Sequence, residues 1–197
     1  RYTAYPATPL PDRTWPDQVL DRAPIWCSVD LRDGNQALVE PMDPATKLAF
    51  FNGLVELGLK EIEVGFPSAS TTEADFIRLL REQRAVPDDV TLQVLTPART
   101  ELIAQTLEAV EGLPRVIVHL YNSTSELQRR VVFEESRQGI IDLACRGTEQ
   151  IRSWVDQNRQ TGVTFQYSPE SFTGTELDFA IEIVDAVADI WEPTGES

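Results

Sequence analysis

Apolar and polar positions between residues 25 and 192 alternate between two rhythms. Short apolar, β-branched runs predict buried strands: "IWCSVDL" (25–31), "EIEVGFP" (61–67), "VTLQVLTP" (90–97), "RVIVHLYN" (115–122) and "TFQYSPE" (164–170). The intervening segments carry apolar residues at i, i+3 and i+4, the period of a helix with one buried face. "DPATKLAFFNGLVELG" supplies Asp43 as N-cap, Pro44 at the first helical position and Gly58 as the stop. "TTEADFIRLLREQ" and "TELDFAIEIVDAVADIW" both begin on Thr-x-x-Asp, a capping pattern with the shorter acid. A further long helix is expected over residues 136–160, ending near Gly162. The Phe50-Phe51 pair, Trp154 and Trp191 fall at helix-face spacings and are assigned to packing.

Strand and helix alternate five times, which implies a parallel sheet with right-handed crossovers. Two α/β architectures satisfy that pattern. A five-stranded doubly wound sheet would close within this chain; a (β/α)8 TIM barrel would leave it three units short. At about 34 residues per unit, eight units need roughly 270 residues, near the usual barrel length, so spacing does not choose. Residues 1–24 hold five prolines and no sustained periodicity, which predicts an extended N-terminal arm ahead of a domain over 25–197.

Composition narrows the function. A chain of 197 residues, 42% hydrophobic, can bury one sizeable core. Its 17 Lys and Arg against 32 Asp and Glu give a formal charge of −15, a field that repels nucleic-acid backbones and anionic membrane surfaces. A small anionic substrate stays compatible, because local cations or a metal reverse the potential inside a cleft. Two lone cysteines, Cys27 and Cys145, make no secreted disulfide framework and fit a reducing cytoplasm. No run of apolar residues reaches the ~18 of a membrane span.

Polar residues gather at the C-terminal ends of the expected strands: Arg32 and Asp33, Ser68, Thr96, His119 to Asn122, then Ser168 and Glu170. In either architecture that edge carries the chemistry. Each candidate also has a plain structural reading. Arg32-Asp33-Gly34 is a turn or a charged pair at the mouth of a site. His119, the single histidine, is a satisfied core residue or a ligand contact. Ser168 and Glu170 share one side of their strand, as inward-pointing groups or as a solvated strand end. No glycine-rich phosphate loop follows the first strand, and neither Cys-x-x-Cys nor His-Glu-x-x-His occurs.

Read together, "IWCSVDLRDGNQALVEPMDP", "KEIEVGFPSAS", "VLTPARTELI", "IVHLYNSTS" and "QYSPESFTGTELDFA" resemble the catalytic barrel of the 2-isopropylmalate synthase family, in its longer bacterial branch. The resemblance runs from the N-terminal arm to about Trp191. Homocitrate and citramalate synthases and hydroxymethylglutaryl-CoA lyase are wider relatives sharing the arginine-aspartate turn; many carry Glu at the position of Asn35. The resemblance implies a TIM barrel of which this chain supplies the first five βα units. It also implies a Claisen condensation of acetyl-CoA with 2-oxoisovalerate, a step of leucine synthesis, in a cytoplasmic homodimer that uses a divalent metal (Mg2+, Mn2+ or Zn2+). By matching, Asp33 is a metal ligand, Arg32 stabilises the developing oxyanion, His119 contacts the oxo acid, and Leu95 and Ser168 line its pocket. Glu170 positions or deprotonates the acetyl methyl, and Gln36 lies near the metal shell. The family's later strands carry a His-x-His metal pair and a glycine-rich stretch that this sequence lacks, so the chain is expected to be a piece of a longer polypeptide and inactive alone. Two other expectations stand beside it: a sister synthase using another 2-oxo acid, and a non-catalytic half-barrel that self-associates or pairs with a complementary half.

Overall fold

A computed structural model describes residues 23–194. Most of the expected arm, residues 1–22, lies outside the described residues. Five parallel strands form one sheet in the order β1-β2-β3-β4-β5. They are β1 (Cys27–Ser28), β2 (Glu61–Gly65), β3 (Thr91–Pro97), β4 (Arg115–Ser123) and β5 (Gly162–Glu170). The helices are α1 (Pro44–Glu56), α2 (Thr71–Glu82), α3 (Thr100–Val110), the single turn α4 (Glu126–Gln128), α5 (Arg137–Gln157) and α6 (Leu177–Trp191).

Strand order decides between the two architectures. A doubly wound sheet reverses direction at a switch point and buries both faces under helices, whereas here the order never reverses. Ile62, Val64, Leu92, Val94, Val116, Val118 and Leu120 all point to one face and pack with Phe51, Phe76, Ile77, Leu80, Ile103, Leu107 and Ile151 of the helices in one core. The opposite face carries Glu63, Gln93, Leu95, His119, Tyr121, Gln166 and Ser168, and none of these joins a hydrophobic cluster. A singly wound parallel sheet with helices on one side is the wall of a (β/α) barrel. A second cluster, Ile140, Ile141, Ala144, Phe179, Ile183 and Val187, joins α5 to α6.

Several expectations need correction. The first strand stops at Ser28, not residue 31: residues 30–34 wind into a wide turn closed by Gly34 N–H donating to the Val29 carbonyl (3.3 Å). Ile25 and Trp26 are 75% and 71% exposed. Helix α2 is capped by Ser70, whose hydroxyl accepts from the Glu73 N–H (3.3 Å), not by Thr72 of the Thr-x-x-Asp pattern. Helix α6 has Glu176 at its N-cap without a side-chain capping bond, and the expected cap Thr175 is instead buried against Thr124 (2.8 Å between hydroxyls). Phe51 is buried but Phe50 is 43% exposed, since adjacent helical residues point about 100° apart. The predicted cap holds at α1, where Asp43 accepts from the Thr46 N–H (2.7 Å) and Gly58 takes the left-handed position just past the end. No described helix is long and apolar enough to cross a membrane.

Candidate active site

The turn after β1 places two charges at the C-terminal edge of the sheet. Asn35 is buried and its side-chain oxygen accepts from the Met42 N–H (2.7 Å), which pins the loop that follows the turn. Arg32 then reaches across to β2. Its Nε donates to Glu63 Oε2 at 2.9 Å and its Nη2 lies in ion-pair contact with the same oxygen at 2.9 Å, while Nη1 bonds Asp33 Oδ1. Glu63 is fully buried, Arg32 18% exposed and Asp33 56% exposed, so the chain Glu63–Arg32–Asp33 runs from the protein interior to its open edge. Glu63 Oε1 is buried with no partner.

Glu63 was not among the sequence candidates. The signal was present: in "EIEV" the acids alternate with apolar residues, and strand periodicity puts Glu63 on the face opposite Ile62 and Val64. A carboxylate fully inside a sheet is costly unless a cation meets it.

Parallel register assembles the rest of the wall. Leu95 lies beside His119 across β3 and β4, and Tyr121 lies beside Ser168 across β4 and β5. His119 Nε2 and Ser168 Oγ are 2.8 Å apart, and His119 Nδ1 is buried without a partner. Burial first, and the nearby positive charge of Arg32 second, lower the His119 pKa to about 4, so its ring is neutral at pH 7. A neutral ring offers a ligand one donor or one acceptor without adding charge. Ser123 donates its hydroxyl to Glu170 Oε2, which holds that carboxylate at the strand end. Burial, then the Glu170 charge, raise the Tyr121 phenol above its ordinary range. The Phe66 ring meets Tyr121 edge-on at 6.5 Å between centroids.

The structure thus brings Arg32, Asp33, Leu95, His119, Ser168 and Glu170 to one sheet edge and its inner face. Glu170 pairs with Ser123 and is exposed, two residues beyond Ser168. Gln36 is exposed and lines a groove of about 530 Å³ with Arg32, Asn35, Met42, Phe66 and Glu73, beside the turn and off the inner wall. Cys27 and Cys145 are both free thiols.

Asp33 is the candidate metal ligand. Its carboxylate is more than half exposed at the mouth, and an oxygen donor of this kind suits a hard divalent cation. Among the described residues no group of three His, Cys, Asp or Glu side chains is placed to hold a metal ion.

A singly wound parallel sheet, helix-covered outside and lined inside by a buried ion pair, a neutral imidazole and hydroxyls, places the chain among (β/α) barrels. Within that class the chain belongs to the HMGL-like family, whose profile matches residues 23–194. It is 59% identical over its whole length to a 2-isopropylmalate synthase of Rhodospirillum rubrum, of which it covers 36%. Identity to the 2-isopropylmalate synthase of an Arthrobacter species is 56%, over 95% of this chain and 32% of that protein. For the Pseudomonas putida (strain W619) 2-isopropylmalate synthase the figures are 53%, 100% and 35%. The chain therefore spans about a third of the length of the curated relatives it matches.

Proposed function

We propose that this chain forms the first five βα units of a 2-isopropylmalate synthase barrel, which condenses acetyl-CoA with 2-oxoisovalerate. The observation that carries the reading is the Glu63–Arg32–Asp33 chain at the C-terminal edge of a wall whose whole sequence matches synthases of that name at 52–59% identity. Arg32, fixed by Glu63, presents a guanidinium to the oxygen of the keto carbonyl as charge develops there. Neutral His119 and the Ser168 hydroxyl give the oxo acid hydrogen bonds without perturbing that charge, and Leu95 sits beside them against its alkyl group. Glu170, held by Ser123, orients or deprotonates the acetyl methyl. Gln36 borders the approach to Asp33.

A divalent cation, Mg2+, Mn2+ or Zn2+, is part of the proposal: Asp33 would be one of the residues holding it, and the chemistry it would supply is Lewis-acid polarisation of the keto acid. A cytoplasmic homodimer is likewise proposed. The test is a chimera in which residues 1–197 replace the matching segment of the R. rubrum enzyme, assayed for thiol release from acetyl-CoA with a panel of 2-oxo acids. The reading expects turnover with 2-oxoisovalerate above other oxo acids. A folded chimera without turnover, beside an active parent, refutes it.

A further inference from the structure

Behind the C-terminal end of β2, on the helix side of the sheet, sits a buried ammonium that the catalytic reading does not use. Lys47 of α1 is fully buried. Its Nζ donates to the Val64 carbonyl (2.9 Å) and to both Glu73 oxygens of α2 (2.9 and 3.0 Å), and lies 4.8 Å from the centre of the Phe76 ring. Glu73 Oε2 also accepts from the Phe66 N–H (3.1 Å). Between those two anchored peptides is Gly65, where a Cβ would overlap Glu73 Oε2, so the carboxylate packs directly on the backbone. At this point the β2–β3 register shifts: Glu63 faces Gln93, but Gly65 faces Val94. Such irregularities bend a strand and re-aim the neighbouring side chain, and they persist only where the surroundings hold them.

The geometry points to Lys47 and Glu73 as positioning residues that lock the irregularity in β2 from the helix side and so hold Glu63 against Arg32. Three elements meet at one ion pair: Lys47 comes from α1, Glu73 from α2, and the bonded groups, the Val64 carbonyl and the Phe66 N–H, flank Gly65 at the end of β2. Burial draws the Lys47 pKa down, and the hydrogen bond and charge of Glu73 oppose that. A rigid support of this kind removes the freedom that would let Arg32 swing toward Asp33 alone. The catalytic value of the lock rests on the reading of Arg32 above; the mechanical claim does not.

The test follows the side-chain N–H protons of Arg32 and Arg129 by NMR in the 15N-labelled chain, assigned through R32K and R129K. Arg129 is the internal reference, since it is held by Glu176 and the Thr124 carbonyl at the β4–β5 end. Glu73→Gln removes the charge and keeps an oxygen for the Phe66 amide; Glu73→Asp keeps the charge, shortens the reach and serves if the first variant does not fold. The expected result is that Arg32 exchange with solvent speeds by at least about tenfold more than Arg129 exchange. Equal acceleration of both arginines, or an unchanged Arg32, overturns the inference. Glu63→Gln must release Arg32 in the same experiment. Loss of turnover in the chimera with Arg32 still responding to Glu73 sinks the catalytic reading and leaves the lock standing.

Discussion

Replacing Glu63 by glutamine isolates the ion pair on which the site is built. The substitution keeps shape and one acceptor oxygen while deleting a charge that is fully buried. One 2.9 Å hydrogen bond and one 2.9 Å ion-pair contact from Arg32 converge on a single Glu63 oxygen. Deleting one partner of a buried pair costs about 3–5 kcal/mol, because the other charge is stranded. Arg32 is only partly stranded: it is 18% exposed and still bonds Asp33. The expected loss in E63Q is therefore about 2–3 kcal/mol, read from urea unfolding midpoints at constant m value. Asp75→Asn breaks an exposed pair with Arg78 on the α2 surface and serves as the control, with a change below about 0.5 kcal/mol. In an Arg32→Met background the Glu63→Gln cost should fall or reverse, giving a coupling of about 2 kcal/mol. A loss in E63Q matching that of D75N, or no coupling to Arg32, refutes the view that this pair is structurally committed.

Three other outcomes are expected. His119 has a folded pKa near 4 against 6.5 unfolded, so the unfolded chain binds more protons in that window and stability falls as pH drops from 6.5 to 4; H119Q should remove about 2 kcal/mol of that loss, after discounting for partial solvent exposure, in urea titrations at pH 7 and pH 4.5. Ser70→Ala should cost about 1 kcal/mol and Thr72→Ala much less, because only Ser70 accepts a bond from the helix start; equal thermal midpoints for the two variants would contradict the cap assignment. Gly147→Ala places a methyl 3.2 Å from Ile103 and Leu120 side chains where α5 crosses the core, and about 1–3 kcal/mol of overpacking is expected in chemical denaturation.

What was legible in the sequence follows from which forces act locally. Strands β2 to β5 carry apolar residues against the helices, and period-two alternation alone put Ser168 and Glu170 on one side of β5. The hydrophobic pattern alone did not choose the architecture, since strand order is a long-range property and five βα units are spelled alike in either sheet; the family resemblance of the strand-end motifs pointed to the barrel, which the unreversed strand order bears out. Glu63 was passed over because an acid in a strand reads as solvated until its cation is found thirty-one residues earlier, at Arg32. The α2 cap was misplaced for a similar reason: "SASTTEAD" offers several hydroxyls, and only the backbone path decides which one meets the first turn. The early end of β1 reflects the turn that carries Arg32, which leaves the ladder after two residues.

The most direct measurement of the central claim is Asp33→Ala in the chimera, reading Mn2+ affinity and thiol release with 2-oxoisovalerate together. The account predicts that both fall, turnover by at least about a hundredfold, while the unfolding midpoint stays close to that of the parent chimera. Undiminished metal affinity and turnover in a folded variant would contradict it.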